Sequence, residues 1–475
     1  MSVHLFTGNS SIGGRLRPSR RARPAALAVA CVVSMLLTSC AVLGLDDDDD
    51  GQAARGEGEE VVFWSSHGPP DIDYFEEMVA DYNDTDPESP VRLQRVTGEE
   101  TDVAQLMTAV RGGTGPDVYL LDRFTVAQRA EAGLLQPLSG FMEEDGGVDS
   151  YESQYIDFAW AEAQFDGETY ALPTDTDTRA LYYNRAMLED AGVDLSEFDP
   201  ANGPLTLDRV VQVAEQVNKT DNSGAYTEMG FVPWYDQGWH YTWGFDFGGT
   251  FYDPDQCQVT PTDAEIQEAF QWLYDYANRF DPRKIQAFLS TNANCTGPLT
   301  CDIPPAQHPF ITEKLAMNIT GNWFIKTIDQ YAPDIDYDVT YIPTPPDRTD
   351  QPSTWAGGWS VVIPEGAQNP QGAWDFMKWW AGEEGQRAYY EKNGSIPTLT
   401  SMLEEEGLFT GKLELFGQLT DVAQSRPPLP VGALYWDELT AANEAVLLNR
   451  EEPAAALEGV ESQVQPQLEE FCPLE

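Results

Sequence analysis

The stretch GETYALPTDTDTRALYYN, residues 167–184, decides the fold of this chain. Residues 169–172 read as a strand, and Pro173 ends it because proline lacks a backbone N–H and fixes φ. A polar run with two aspartates follows, and residues 180–183 read as a second strand. Polar residues between two buried strands indicate that the chain crosses from one hydrophobic core to another. We interpret the stretch as the first of several hinge strands between two lobes that close on a ligand.

Strand and helix patterns alternate before this stretch. Strands are expected at residues 60–64, 91–96 and 117–121, and helices at 71–83, 103–110 and 125–132. In the first helix the apolar residues recur every three or four positions, which indicates one buried face. Such alternation predicts a mostly parallel sheet with helices on both faces. Ligands bind beyond the carboxyl ends of such strands, so the loops at Trp64–His67 and Asp122–Arg123 are candidate binding loops.

The pattern changes after the hinge. Helices are expected at 207–217, 370–380 and 383–391, and strands at 315–320 and 360–363, while residues 339–342 lead to a proline-rich turn. A tryptophan-rich stretch occupies residues 234–253. The Thr-x-x-Glu pattern at Thr262–Glu265 predicts a capping box that opens another amphipathic helix. Beyond residue 391 the chain is expected to be mainly helical.

Length and composition favour a folded protein of more than one domain. The chain has 475 residues, of which 41% are hydrophobic and 11% aromatic. A chain of this length usually forms two or more domains. Its apolar content is sufficient for packed cores, so global disorder is not expected.

The N-terminus has the features of an export signal. A basic region containing five arginines precedes a short apolar stretch, residues 25–39, which is too short to span a membrane. It ends in Leu37-Thr38-Ser39-Cys40, which resembles the bacterial lipobox. We expect residues 1–39 to be a lipoprotein signal peptide, Cys40 to be lipidated, and residues 40–56 to be an acidic flexible linker. The alternative is an ordinary secretory signal with an unrelated cysteine, and Sec or Tat export is left undecided.

The charge of the chain excludes one class of partner. The formal charge is −52, and removal of residues 1–39, which hold five arginines and no acidic residue, makes it −57. Nucleic acid is excluded because its phosphates would be repelled. The acidity is compatible with cation binding, but a solvated acidic surface is the favoured interpretation.

Four cysteines remain after Cys31 in the signal and Cys40 are set aside: Cys257, Cys295, Cys301 and Cys472. In an exported protein they predict two disulfides, for which three connectivities exist. We favour a local Cys295–Cys301 bond and a long-range Cys257–Cys472 bond. With no Cys-x-x-Cys pair and no histidine pair at helical spacing, a metal site is not expected.

Catalytic and cofactor motifs are absent from the sequence. There is no Gly-x-Ser-x-Gly, no phosphate-binding Walker loop and no dinucleotide-binding glycine motif. We therefore expect neither an enzyme nor a cofactor. The alternative function is a secreted carbohydrate-active hydrolase that uses Asp175 or Asp177 with another carboxylate.

Tryptophans in loop-like positions give a more specific signal. Most of them adjoin Gly, Pro or polar residues: Trp64, Trp234, Trp239, Trp243, Trp323, Trp355, Trp359 and Trp436. Flat rings pack against the C–H faces of sugars, while Asp, Asn and Arg bind their hydroxyls. Core packing is the alternative for each ring, and the set as a whole predicts a sugar site.

The order of these features resembles the extracellular solute-binding proteins of ABC importers, in the sugar-binding family that includes maltodextrin-binding protein. The resemblance runs from about residue 60 to the C-terminus. It rests on the lipobox, EVVFW at 60–64, GTGPDVYLLDRF at 113–124, YALPTDTDTRALYYN at 170–184, WGFDFGGTFYD at 243–253, LAMNITGNW at 315–323 and AGGWSVVIPEGAQNPQGAWDFMKWW at 356–380.

The resemblance implies a set of ligand-binding residues: Trp64, Asp122, Arg123, Asp175, Asp177, Trp239, Trp243, Trp323, Trp359 and Trp436. It also implies an α/β, two-lobed, periplasmic-binding-protein-like (type II) fold, with a mostly parallel sheet in each lobe and hinge strands between them. Lobe 1 would comprise residues 57–173 and 355–400, and lobe 2 residues 174–354 and 401–475. The Trp-dense stretch at 234–243 and the Cys-bearing insertion at 289–308 depart from the family and leave the substrate size open.

The function implied is that of the substrate-binding component of an ABC importer. It would capture a mono- or oligosaccharide by hinge closure and deliver it to the membrane permease. The protein would be a monomer held by the lipid on Cys40 at the extracellular face of the cytoplasmic membrane.

Overall fold

A computed structural model describes residues 59–97 and 104–474. The predicted signal peptide (1–39), the linker (40–56) and Cys40 lie outside the described residues. Within the described part of the chain, no helix combines the length and apolar character needed to cross a membrane.

The first of two large sheets has five strands, four of which run in one direction. Their order is Val91–Arg95, Val61–Ser65, Val118–Asp122, Trp359–Val362 and Ala171–Pro173. The first three pair in parallel, and Trp359–Val362 is antiparallel to both of its neighbours. This sheet confirms the mostly parallel arrangement predicted from the strand–helix alternation.

The second large sheet is mixed, which differs from the mostly parallel sheet expected in that lobe. Its order is Tyr337–Thr340, Arg179–Asn184, Leu315–Gly321, Tyr226–Phe231 and Lys219–Thr220. One pairing, Leu315–Gly321 with Tyr226–Phe231, is parallel and the other three are antiparallel. The physical reason is that a parallel neighbour requires a long crossover connection, usually a helix. Arg179–Asn184 instead arrives directly from the first sheet and runs against both strands beside it.

Helices pack on both faces of each sheet. They span Asp71–Asn83, Ala104–Gly112, Val126–Glu131, Ser139–Glu144, Val148–Glu152, Asp157–Ala161, Arg185–Asp190, Leu207–Val217, His240–Asp246, Ala264–Phe280, Pro282–Asn292, Phe324–Tyr331, Pro370–Trp380, Glu383–Asn393, Thr400–Leu403, Leu413–Leu419, Gly432–Leu447 and Pro453–Leu468. One face of the first sheet packs on the helices Asp71–Asn83 and Pro370–Trp380. One face of the second sheet packs on the helices Leu207–Val217 and Ala264–Phe280. Separate clusters cover the opposite faces. Each sheet therefore has its own core.

The stretch at 167–184 crosses between the two sheets as predicted, with one difference. The expected first strand is split: Glu168–Thr169 forms a hairpin with Gln164–Phe165, and Ala171–Pro173 joins the first sheet. The chain then passes through residues 174–178 into the strand Arg179–Asn184 of the second sheet. The crossing consists of five residues, which suits a narrow hinge.

Two further segments run beside this crossing. Thr176 and Ile396 exchange both backbone hydrogen bonds, at 2.7 and 3.1 Å. Thr354–Ala356 pairs in parallel with Ala423–Ser425 outside both large sheets. The passages between the cores are thus bonded to one another.

The capping box predicted at Thr262–Glu265 is wrong, although the helix it was to open is present. The helix begins at Ala264 after Asp263, which makes no side-chain cap. The Thr262 hydroxyl instead donates to Glu461 on the last long helix at 2.7 Å. A tertiary partner has replaced the local one.

Both favoured disulfides are present. Cys257 is bonded to Cys472 across 215 residues, and Cys295 to Cys301 across six. The first ties the end of the chain to the turn between Tyr252–Asp253 and Gln258–Val259.

Candidate functional site

A cavity of about 190 Å³ lies at the junction of the two sheets. It is lined by His67, Asp71, Asp122, Asp175, Asp177, Arg179, Gln237, Trp239, Trp323, Trp355, Gly357, Gly358, Trp359, Tyr389, Asn393, Ser395 and Arg426. Asp122 is the last residue of its strand, and His67 and Asp175 each follow a strand by two residues. The cavity therefore lies where α/β sheets bind ligands, beyond the strands' carboxyl ends.

The crossing segment places two aspartates in the cavity wall. The Asp175 Oδ1 atom accepts hydrogen bonds from the Thr174 hydroxyl at 2.9 Å and from the Trp359 backbone N–H at 3.1 Å. The Asp177 Oδ1 atom accepts from the Gly357 backbone N–H at 2.7 Å and from the Arg179 guanidinium. Each aspartate thus joins the crossing to the loop at 357–359.

Glycine is required at position 358 of that loop. Its φ is +128°, and an added Cβ would lie 2.3 Å from the Asp175 carbonyl oxygen and 2.6 Å from an Arg123 nitrogen. No side chain fits at such distances, so the Gly-Gly pair lets two backbone segments approach closely.

One side of the cavity carries two arginine–aspartate pairs, and we call it the arginine half. Arg426 donates to Asp122 Oδ1 at 2.6 Å, and Arg179 pairs with Asp177. The Arg179 guanidinium carbon lies 3.5 Å from the centroid of the Trp355 ring, and that of Arg426 lies 5.0 Å from it. Cations and carboxylates are balanced on this side.

The opposite side, which we call the acid half, contains Asp71, Asp175, His67, Trp359 and Tyr389. The Tyr389 hydroxyl donates to Asp71 Oδ1 at 3.2 Å, and the His67 and Trp359 rings lie 4.0 Å apart. Burial raises the pKa of Asp71 to about 6 and that of Asp175 to about 7, with the Asp177 charge adding to the latter. Burial lowers the pKa of His67 to about 3, so this imidazole is neutral at physiological pH.

Two further tryptophans from the second lobe face the cavity. Trp323 follows the strand Leu315–Gly321, and the Arg179 guanidinium lies 5.5 Å from its ring centroid. Trp239 precedes the helix His240–Asp246 and lies 4.9 Å from Trp436, edge to face. Six of the ten residues predicted to bind ligand therefore line the cavity: Asp122, Asp175, Asp177, Trp239, Trp323 and Trp359.

The other four predicted residues do not appear among the lining residues. Trp243 is fully buried in the second lobe's core, where its indole N–H donates to the Pro233 and Gly238 carbonyls. Trp64 is 8% exposed and packs with Tyr119. Trp436 packs against Trp239 and against the next residue, His240, with ring centroids 4.9 and 4.8 Å apart.

Arg123 is the fourth, and it holds the cavity wall from behind. It is fully buried and donates to Glu162 Oε2 at 2.7 Å, to the Asp175 carbonyl at 2.6 Å and to the Gly357 carbonyl at 2.5 Å. One guanidinium thus fixes both the crossing segment and the Gly-Gly loop. This is a positioning role.

Sequence reasoning missed the residues that complete the acid half and the arginine half. Arg426 meets Asp122 across 304 residues, and its surroundings, SRPPLP, contain no recognisable motif. Asp71 and Tyr389 lie on helices that the sequence identifies only by their apolar periodicity, which does not indicate a ligand-binding role for either residue. Arg179 lies within the stretch 167–184, and its position close to Asp175 and Asp177 is the sequence feature that could have predicted it as a site residue.

The carboxylates of the cavity are not arranged as a metal centre. Among the described residues, no group of three or more His, Cys, Asp or Glu side chains is placed to hold a metal ion. The carboxylates instead bond to arginines, backbone N–H groups and hydroxyls.

Two packed sheets joined by narrow crossings, with a polar and aromatic cavity at their junction, define a protein that binds a solute between two lobes. The chain belongs to the family of bacterial extracellular solute-binding proteins, whose sequence model matches residues 77–411. Membership of this family assigns the chain to binding rather than to catalysis.

Characterised relatives span most of the chain. The maltotriose-binding protein of Pyrococcus abyssi is 23% identical over 403 residues, which cover 83% of this chain and 79% of the relative. The diacetylchitobiose-binding protein of Streptomyces coelicolor is 23% identical over 379 residues, covering 78% and 81%.

Solved structures share the fold. CpMnBP1 with mannotriose bound superposes with a TM-score of 0.72 at 24% identity, covering 85% of this chain and 99% of that one. Maltose-bound MalE3 of T. maritima has a TM-score of 0.67 at 18% identity, covering 86% and 100%. These likenesses show the two-lobed α/β fold of periplasmic binding proteins.

Proposed function

We propose that the protein is the substrate-binding component of an ABC importer and that it captures a sugar and delivers it to the membrane permease. The observation that carries this proposal is the composition of the cavity. Trp239, Trp323 and Trp359 offer flat apolar faces, while Asp122, Asp177 and their arginines offer hydrogen-bonding groups. A sugar has both apolar C–H faces and polar edges, so it matches this pattern. Sugar-binding relatives support the same ligand class.

Hinge closure is the proposed mechanism of capture. We assign residues 57–173 and 355–400 to lobe 1, and 174–354 and 401–475 to lobe 2. Lobe 1 contributes Asp122 and Trp359 to the cavity, and lobe 2 contributes Trp239 and Trp323. Contacts from both lobes exist together only when they close, so a ligand favours the closed form by its differential affinity. About 5.5 kcal/mol of such differential affinity moves a population from 1:99 to 99:1.

The proposed location is the extracellular face of the cytoplasmic membrane. The family is extracellular, and the lipobox ending at Cys40 supplies an anchor that leaves the folded part free to meet a permease. One lipidated cysteine with the acidic linker at 40–56 would tether a monomer.

The test is a melting-shift screen of the mature chain against mono- and oligosaccharides, repeated with labelled oligosaccharides to detect cleavage. We expect at least one sugar to raise the melting temperature, with no cleaved product. Arg426→Gln, which breaks the pair with Asp122, is expected to reduce that shift. Product formation would establish the hydrolase instead, and the absence of any sugar-induced shift would contradict a sugar-binding role.

A further inference from the structure

The two halves of the cavity differ in how their carboxylates are neutralised. In the arginine half, Asp122 and Asp177 each pair with an arginine. In the acid half, neither Asp71 nor Asp175 forms an ion pair with any Lys, Arg or His among the described residues. The cavity therefore has two carboxylates on one side with no cation of their own.

These two carboxylates are held towards the cavity. Asp175 is 5% exposed, and its Oδ1 accepts both of its hydrogen bonds, which leaves Oδ2 without a donor from the described residues. The neighbouring Arg123 offsets the Asp175 charge only in part, because its side chain pairs with Glu162 and donates to the Asp175 backbone carbonyl and not to the carboxylate. Asp71 accepts a hydrogen bond from the Tyr389 hydroxyl, and its own backbone N–H also favours the ionised carboxylate.

We infer that the ligand is a small sugar that carries a protonated amino group, bound with its ammonium between Asp71 and Asp175. This rests on the proposed sugar-binding function and specifies the class of sugar. A primary ammonium has three donors, which suits two carboxylates that line the same cavity.

The remaining groups of the acid half suit the same ligand. Trp359 and Tyr389 present aromatic rings beside the carboxylates, and such rings attract cations as well as sugar C–H faces. Trp355 does not serve in this way because Arg179 already covers its ring. Asn393 and Ser395 add neutral polar groups that bind hydroxyls.

The size of the cavity sets the scale of the ligand. Its volume of about 190 Å³ is below the range of about 300–1,000 Å³ that is usual for drug-sized ligands. One or two sugar rings fit this space better than a long oligosaccharide. A linear polyamine would leave the tryptophans and the arginine half without partners.

The raised pKa values of the two carboxyl groups are consistent with a cation that the ligand supplies. Burial raises the pKa of Asp71 to about 6 and, with Asp177, that of Asp175 to about 7, while Arg123 opposes the latter rise. His67 on the same side is neutral. An ammonium ion between these two carboxyls would lower the pKa of each, so binding is expected to release protons near pH 6.5.

The experiment compares matched sugars on the mature chain by calorimetry at pH 7.5. For glucose, galactose and mannose, the panel contains the neutral sugar, the 2-amino sugar and the N-acetylated 2-amino sugar, together with the disaccharide of 2-amino-glucose and a linear diamine. We expect an amino sugar to bind at least tenfold more tightly than both its neutral and its N-acetylated counterparts.

Variants of the two carboxylates test whether they cause the preference for an amino sugar. Asp175→Asn and Asp71→Asn are each expected to reduce the preference for the amino sugar at least tenfold. Asp73→Asn is the matched control, because it removes the same charge from an exposed position on the helix that begins at Asp71. It is expected to leave the preference unchanged, which separates a local effect from the attraction of any cation by an acidic protein.

The outcomes distinguish the two proposals. A neutral or N-acetylated sugar that binds as tightly as the amino sugar overturns this inference and leaves the sugar-binding function standing. An amino-sugar preference that survives both cavity variants also overturns it. A diamine that binds more tightly than every sugar, or a panel in which no sugar binds, contradicts this inference and counts against the proposed function as well.

Discussion

At the scale of single residues, the cavity depends on carboxyl groups in contrasting surroundings. Asp177 is held by an arginine and a backbone N–H, whereas Asp175, two residues away, has hydrogen bonds but no cation. Desolvation therefore acts on Asp175 without an ion pair to offset it. Burial therefore raises the pKa of Asp175 to about 7.

Asp175 should make the ligand-free protein less stable as pH rises. Its pKa is about 7 in the folded protein against an ordinary value of 3.8, so the folded state binds the proton more tightly. The stabilisation is complete below about pH 4 and is lost as pH rises through about 7. Asp175→Asn is expected to gain stability relative to the wild type between pH 4 and pH 8, by at most about 4 kcal/mol.

Urea unfolding at several pH values measures this difference. Asp73→Asn, on an exposed position, is expected to follow the wild-type curve in parallel. A wild-type curve parallel to that of Asp175→Asn would mean that the buried carboxyl is not protonated near neutral pH.

Trp323→Ala is expected to weaken ligand binding more than tenfold with little change in the fold. The ring is half-buried at the cavity wall, so its removal takes away contact with the ligand more than it opens the core. Trp379→Ala is the control, since Trp379 is also half-buried but packs on Tyr82 and is not among the residues that line the cavity. Calorimetry that finds equal affinity for wild type and Trp323→Ala would make this ring a packing residue.

How far these residues could be predicted depended on sequence context. Asp122 ends a strand, Asp175 and Trp323 each follow one, and the structure places all three in the cavity. Trp243 has the same kind of neighbours as Trp323 but turns into the core, where two carbonyls accept its N–H. A glycine-rich context does not show whether a tryptophan ring points into the cavity or into the core, because the local sequence is similar in both cases.

At the scale of elements, the Gly-Gly loop and the crossing segment are the parts that must fit. Gly358→Ala is expected to lower both stability and ligand affinity, because its Cβ would collide with the Asp175 carbonyl and with Arg123. Gly366→Ala is the matched control, since Gly366 also has a positive φ, +78°, but has nothing within 4 Å of an added Cβ. Both variants incur backbone strain of about 1–3 kcal/mol, so the excess loss at 358 measures the collision. Equal losses in denaturant titrations would show that the close approach is unimportant.

Periodicity predicted elements better than it predicted their partners. The helices Asp71–Asn83, Leu207–Val217 and Pro370–Trp380 begin and end where the apolar pattern does. The capping box predicted at Thr262 does not form because the Thr262 hydroxyl donates a hydrogen bond to Glu461, almost 200 residues away. The mixed order of the second sheet also escaped prediction, since strand direction depends on connections that a local pattern does not contain.

At the scale of the whole molecule, the long-range disulfide should matter more than the local one. A bond that closes a long loop removes more freedom from the unfolded chain. For loops of 215 and six residues this model gives about 5 and about 2 kcal/mol respectively. The Cys257→Ser/Cys472→Ser pair is therefore expected to unfold at lower denaturant concentration than the Cys295→Ser/Cys301→Ser pair, with sugar affinity unchanged in both.

Unfolding titrations of the two double variants, with the wild type beside them, test this ranking. A larger loss from the local bond would mean that native contacts around residues 295–301, and not chain entropy, dominate. A loss of affinity in either variant would connect the disulfide to the site.

The bonding between the crossing segments restricts how the lobes can move. Thr176 is joined to Ile396 by a pair of backbone bonds, and Thr354–Ala356 is joined to Ala423–Ser425 along its length. Under the proposed hinge closure, we expect segments bonded in this way to twist together and not to slide past one another. The two lobes would then meet in the same alignment each time they close, and the same contacts with the solute would form at every closure.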